Sequence, residues 1–436
     1  MTDFTSCACR TPDHFSRRTL LKTLGVGAAG AWLTSLAGML ARAAETDRSG
    51  APARSVILLW LDGGPSQLET FDPHPGRPIA HGTAAIRTAV PEIELARGLE
   101  NVAEVMNEIA LIRSVVSKEA DHERAVYNLK TGNRPTPTVV HPSIGALLCH
   151  QLADGAGDLP RHVSILPGQW PSRGGFLGAA YDAFQTDDPA GQVPDVTPRV
   201  SAERMQERLA GLEVVEATFA RGRRPDLDPA VTLHQRNLEA ARQLMDSSQL
   251  AAFDVTQAPR SQREAYGDTA FGRGCLAALR LIQAGVRCVE VTLSGWDTHL
   301  NNHELHAHRV RILDPAFAAL LRDLRAQELL DSTVVLCGGE FGRTPRLNPL
   351  EGRDHWPHGF SVALAGGGVR GGQVLGATDP EGQEREPADP VGIADIHATI
   401  QHTLGLNPRR ELITPVGRPI PLSEGRILRS LLSLPG

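Results

Sequence analysis

From Val56 to Leu61 the chain is an unbroken apolar run that stops on Asp62, followed by Gly63 and Gly64. Such a run predicts a strand buried on both faces in a parallel sheet, with a carboxylate at its C-terminal end. Similar runs predict strands over residues 110–116, 163–166, 286–293, 333–337 and 361–365. Between them, three- and four-residue spacing predicts helices over 99–107, 122–131 with a Gly132 stop, and 143–152. Phe271, Cys275, Leu279 and Ile282 share one face of a helix that Gly285 ends. Val310, Leu313, Phe317, Leu320 and Leu324 share another, with Asp314 and Pro315 read as cap and first-turn proline of a restarted helix. Late in the chain, a helix over 393–405 ends on a glycine stop. The alternation predicts an α/β fold, a mostly parallel sheet sandwiched by helices.

Two regions fall outside this rhythm. Residues 71–98 are punctuated by Pro and Gly and read as loop with a short hairpin. Residues 168–200 are rich in Gly, Pro and Asp without a period, and two helical segments with polar faces follow, over 202–219 and 229–253. We read 168–260 as a cap or insertion within one domain spanning 54–434. In open α/β sheets ligands bind outside the carboxyl ends of the strands, so residues just after the apolar runs become candidates for chemistry.

Charge and the N-terminus narrow the class. The 436 residues carry 44 Lys/Arg against 50 Asp/Glu, a net charge of −6. With residues 1–43 set aside, 39 basic groups face 48 acidic ones, which argues against nucleic acid as a partner. Arg17 and Arg18 precede a weakly apolar, Gly/Ala-rich run, and Ala41-Arg42-Ala43 offers a small-x-small cleavage site. This pattern predicts a twin-arginine signal over 1–43, read by the export machinery, and a mature protein in the periplasm or cell exterior without a stable membrane span. Cys149, Cys275, Cys288 and Cys337 sit in apolar patterns, which predicts buried free thiols rather than a disulfide framework.

Candidate chemistry recurs in four places. Asp62 ends the first strand. Asp297 and His299 follow the 286–293 strand, with His303 four residues further on. Glu340 follows the 333–337 strand, and a loop holds Asp354, His355 and His358. Oxygen and imidazole donors at four strand ends or loops can furnish one or two divalent metal ions; zinc or manganese suits the mixture best, and calcium is possible. Arg343 and Arg353 lie close in sequence to these donors and are candidates to grip an anionic group, with surface ion pairing as the plainer alternative.

Asp62-Gly63-Gly64-Pro65, Trp296-Asp297-Thr298-His299, Gly339-Glu340-Phe341-Gly342-Arg343-Thr344-Pro345, Gly352-Arg353-Asp354-His355-Trp356-Pro357 and the glycine-rich run 366–372 resemble motifs of the family catalogued as domain of unknown function 1501. The resemblance covers nearly all of the chain after residue 43. That family is similar to the alkaline phosphatase and sulfatase superfamily, metal-dependent enzymes acting on phosphate and sulfate esters. The resemblance implies Asp62, Asp297, His299, Glu340 and His355 as metal ligands, with His303 and His358 as alternatives. Phe341 stands where the superfamily has His or Asn, so one metal lacks a usual ligand. The 393–405 helix resembles the superfamily's closing helix, which packs rather than reacts.

The nucleophile is the main departure. The superfamily places Thr, Ser or Cys nine residues before a helix-ending Thr-Gly, and nine residues before Thr131 stands His122. Either His122 ligates a metal and supplies the missing nitrogen, or it reacts itself, or the site has lost its chemistry. The expected function is an exported metal-dependent hydrolase of phosphate or sulfate esters of a small molecule or polysaccharide, with metal-bound water replacing the absent nucleophile and Arg343 assisting. The rival is a noncatalytic exported metal-containing binding or assembly protein.

Overall fold

The computed structural model describes residues 52–433 except 153–156, 195, 198, 222–232 and 384–385. The signal reading over 1–43 lies outside the described residues. In chain order the strands are β1 (Ser55–Asp62), β2 (Ala85–Arg87), β3 (Glu94–Ala96), β4 (Ile109–Val116), β5 (His162–Ile165), β6 (Phe184–Thr186), β7 (Cys288–Ser294), β8 (Thr333–Gly338), β9 (Gly342–Arg343), β10 (His355–Trp356), β11 (Phe360–Ala365), β12 (Gln373–Leu375), β13 (Val391–Gly392), β14 (Glu411–Ile413) and β15 (Pro419–Pro421).

The central sheet runs β12-β4-β11-β8-β1-β7-β5-β6, with β13 also on β4. All its pairings are parallel except those of β11, which runs antiparallel to both β4 and β8. Because side chains alternate across a strand, β1 feeds two cores. Ile57, Leu59 and Leu61 join Phe271, Cys275, Phe317 and Leu320 on one face. Val56, Leu58 and Trp60 join Val126, Leu129, Ile144, Leu148, Ile396 and Ile400 on the other. Each fully buried aliphatic side chain contributes roughly 1.5–3 kcal/mol, so helices covering both faces stabilise a sheet whose central strands have no polar face to give to water.

The predicted helix at 122 spans His122–Thr131, with Asp121 accepting from Arg124 N at its start and Gly132 left-handed at its end. The short hairpin expected within 71–98 is the antiparallel pair β2 and β3. The four cysteines after residue 43 are buried free thiols. No helix among the described residues is long and apolar enough to cross a membrane.

Two expectations are corrected. The helix does not restart at Pro315: one helix runs Asn302–Ala326 with Pro315 inside it. Asp314 is turned away to cap a neighbour, accepting from the backbone of Asn101 and Val102 at the start of the Glu100–Glu104 helix. Its carboxylate meets the orphan amides of another helix rather than its own. Likewise the 168–200 excursion is not all surface, since β6 pairs in parallel with β5 and forms the sheet's edge.

Candidate functional site

The topology brings five segments to one edge. β1, β4, β7 and β8 all end there, and the antiparallel β11 begins there, so the residues that follow β1 (62–64), β4 (117–122), β7 (295–299) and β8 (339–341), together with the 353–358 loop, meet. Gly63 makes the approach possible: it has a φ of 113°, and a Cβ there would lie 2.5 Å from the backbone nitrogen of Asp297. β9 and β10 pair antiparallel with Arg343 opposite His355, which sets the loop histidine over the edge.

Asp297 is at the centre. Its Oδ1 lies 3.4 Å from His122 Nε2, 3.1 Å from His299 Nε2 and 3.3 Å from His355 Nε2, and it accepts from Arg343 Nη2 at 2.7 Å. His299 Nε2 and His355 Nε2 are 3.0 Å apart. The donor atoms of His122, Asp297 and His355 all lie within 4.8 Å of one another.

The reason lies in the other nitrogen of each ring. His122 Nδ1 faces Glu340 Oε1 at 2.8 Å, His355 Nδ1 faces the Ala120 carbonyl at 2.7 Å, and His299 Nδ1 faces Asp354 Oδ1 at 3.0 Å. Carbonyl and ionised carboxylate oxygens only accept, so each Nδ1 is assigned as the donor and each Nε2 is left for the centre. A metal-bound histidine is held by the same device. Phe341 lies under the rings, 4.4 Å from His355 and 4.9 Å from His122 between centroids, and fixes their planes.

Without an ion the two carboxylates favour a protonated His122, a proton that a bound cation would displace. Burial pulls the His122 imidazole down, but Asp297 and Glu340 outweigh it and raise its pKa to about 9. Burial pushes the Asp297 carboxyl up, yet His122, His355 and Arg343 together hold it well below the usual carboxylate range. His122 Nε2 makes no hydrogen bond despite its 3.4 Å approach to Asp297, and Glu340 Oε2 is also buried without a hydrogen-bond partner. Donors on a tetrahedral shell with bonds of roughly 2.0–2.1 Å stand about 3.3 Å apart, the spacing found around Asp297. The donor set therefore fits a borderline divalent ion.

Several candidates stand elsewhere. Asp62 accepts from Trp60 Nε1 and Ser294 Oγ, outside the three-residue donor group. Glu340, which binds Gly63 N and His122, and His299, whose Nε2 meets Asp297 and His355, also stand outside that group. His303 is paired with Glu69 at 3.3 Å, and His358 packs edge-on to Trp356. The expectation that Arg343 and Arg353 reach for an anion is corrected. Both are fully buried: Arg343 donates to Gly63, Gly64 and Arg353 carbonyls and to Asp297, while Arg353 donates to three carbonyls and to Glu69. Neither backbone carbonyls nor burial could be read from sequence proximity. Trp170, whose ring lies nearly parallel to that of His122 at 6.3 Å, was hidden in the aperiodic excursion.

The sheet and its helical layers define an α/β protein with a mostly parallel central sheet and a group of metal-competent donors at the strands' carboxyl edge. The chain belongs to the family described as "Protein of unknown function (DUF1501)", whose sequence model matches residues 53–432. No curated protein matches it by sequence. Similar solved structures include PsFucS1 sulfatase from Pseudoalteromonas sp., 14% identical over 87% of this chain and 72% of that one, with a TM-score of 0.39. A protein in the alkaline phosphatase superfamily from Vibrio parahaemolyticus is 11% identical over 82% and 68%, with a TM-score of 0.39. Phosphonate monoester hydrolase of Agrobacterium radiobacter is 10% identical over 87% and 77%, with a TM-score of 0.37.

Proposed function

We propose that this chain is an exported metal-dependent hydrolase of phosphate or sulfate esters. The observation that carries the reading is the convergence of three imidazole Nε2 atoms on one oxygen of Asp297, with every Nδ1 already bonded outward. His122, Asp297 and His355 would hold one divalent ion, with His299 beside them as a further donor. Such an ion supplies Lewis acidity and activates water as a nucleophile at neutral pH. Glu340, Asp354 and the Ala120 carbonyl orient the three rings, and Arg343 orients Asp297 from beneath. On this account His122 is a ligand in the place of a nucleophile, and Asp62 and Glu340 stand outside the ligand set.

Elemental analysis of the chain purified from its exported form, followed by a screen of phosphate, phosphonate and sulfate esters, tests the reading. One equivalent of zinc or manganese with turnover of an ester is expected. Chain without metal after reconstitution would sink it. Metal without turnover would favour the binding module, which the absence of a hydroxyl or thiol at the helix start supports. Export is tested separately: replacing Arg17 and Arg18 by Lys is expected to leave precursor in the cytoplasm, and normal export would remove that part of the proposal.

A further inference from the structure

Beside the candidate centre, along the His122–Thr131 helix, lies a cleft of ≈ 260 Å³. Glu123, Val126, Tyr127 and Lys130 form one wall, at the three- and four-residue spacing that puts them on one helix face. Trp170 forms the other. Its indole adjoins His122, so the cleft opens next to the Asp297 cluster.

The placement of Trp170 is rigidly held. Lys130 Nζ donates to the Trp170 carbonyl and to Glu290 Oε1, both at 2.9 Å, and Ser172 Oγ donates to Glu290 Oε2 at 2.7 Å. Lys130, Glu290 and Ser172 are all buried. A buried ion pair thus anchors the backbone beneath a partly buried aromatic ring, which also packs against the second core and so is held in place from two sides. Tyr127 closes the cleft, its hydroxyl accepting from His141 N at 2.6 Å.

The lining has two chemistries. Indole, phenol ring and valine surfaces offer flat apolar contact, while Glu123, Gln169 and Arg173 supply acceptors and donors. The volume is below that of a site for a drug-sized ligand and suits a single ring. A pyranose has this duality, with C–H groups on its faces and hydroxyls around its edge; a hydrocarbon ring would use only half of the lining. We infer that the cleft binds the sugar ring of a carbohydrate ester, stacked on Trp170, with the ester's anionic group directed to the centre around Asp297. The last clause rests on the hydrolase reading; binding of the sugar does not.

The test uses the full chain, with and without chelator, and methyl glycosides of common hexoses as probes. NMR saturation transfer and tryptophan fluorescence are expected to show saturable binding that does not need metal. Trp170→Ala should weaken it about tenfold, because a stacked ring contributes on the order of that factor. Val140→Trp, which narrows the cleft from an exposed lining position, should abolish binding while metal content stays at the parent level, and Trp170→Tyr should restore most of it relative to Trp170→Ala. Absence of saturation transfer in the parent, parent-like binding in both Trp170→Ala and Val140→Trp, or benzyl alcohol binding as tightly as the glycosides would overturn the inference. Glycoside binding without ester turnover would overturn the proposed hydrolase and leave the subsite standing.

Discussion

Asp297 and Glu69 are surrounded by the same kinds of residue. Each accepts from a fully buried arginine, Arg343 at 2.7 Å and Arg353 at 2.9 Å, and each has imidazoles nearby. The Asp297 side chain is 44% exposed and that of Glu69 only 6%. The histidines differ more instructively. His306, close to Glu69, uses both ring nitrogens inside the fold, accepting from Ser66 N through Nε2 and facing the Asn302 carbonyl through Nδ1. The three rings around Asp297 bond outward through Nδ1 and turn Nε2 toward Asp297 and toward one another. A structural cluster and a candidate metal centre therefore separate on which nitrogen is left over and whether solvent reaches it, not on composition.

The largest effect is expected at the closed cluster. Burial alone would raise the Glu69 carboxyl, but Arg353 and its neighbours lower it to about 2, so it is ionised at neutral pH. Arg353→Leu would leave that charge buried without its partner, at a cost of about 3–5 kcal/mol. Urea unfolding of the ion-free chain measures it. A loss below about 1 kcal/mol, within the range of an exposed pair, would show that Arg353 does not hold the fold together.

A step smaller is the acid response of His306. Burial lowers its pKa from 6.5 to about 4, so the folded state excludes a proton that the unfolded chain accepts. The stability it protects is complete above pH 6.5 and is lost as pH falls toward 4, by about 3 kcal/mol in all. His397, buried and donating Nε2–H to the Leu129 carbonyl, falls in the same window. His306→Gln should remove about half of the acid-dependent loss between pH 6.5 and 4. An unchanged slope would mean that His306 is solvated in the native state.

How far the sequence could reach follows from these same residues. Asp297, His299 and His355 were legible because a buried strand ending in polar donors is a local pattern, and His122 because its spacing to Thr131 and Gly132 is local too. Asp62 was legible for the same reason. It ends a strand at the same edge, and what the sequence does not show is that its carboxylate accepts from Trp60 and Ser294, a matter of side-chain direction. Arg343 and Arg353 read as candidates to grip an anion, with surface ion pairing as the alternative, and only three-dimensional packing shows them enclosed by carbonyls. The long helix through Pro315 was shortened because its first turns bury polar Asn302 and His306, which carry no hydrophobic period.

At the open cluster, Asp297→Ala should lower metal stoichiometry and thermal stability together. An ion present at a hundred times its dissociation constant stabilises the fold by about 2.7 kcal/mol, and the variant forgoes that gain. Under chelator the two chains should differ far less, since Arg343 keeps its three carbonyl partners. Isothermal titration with zinc and melting with and without chelator separate these contributions. Equal metal content in parent and variant would remove Asp297 from the centre and make it another Glu69.

The smallest expected effect decides what Glu340 does. The sequence places it among the ligands, whereas its Oε1 is engaged by Gly63 N at 3.0 Å and His122 Nδ1 at 2.8 Å. If it orients His122, Glu340→Gln keeps an acceptor of the same size and loses only charge. Metal affinity should then fall by about tenfold, at the low end of what losing an outer partner of a ligating histidine costs. If it binds the ion through Oε2, which is buried without a hydrogen-bond partner, an amide oxygen is a far poorer donor than a carboxylate. The loss would then approach that of Asp297→Ala. Zinc titration of the two variants side by side distinguishes a residue that aims a ligand from one that is a ligand. A Glu340→Gln loss equal to that of Asp297→Ala would restore Glu340 to the ligand set and leave His122 with a different task at the helix start.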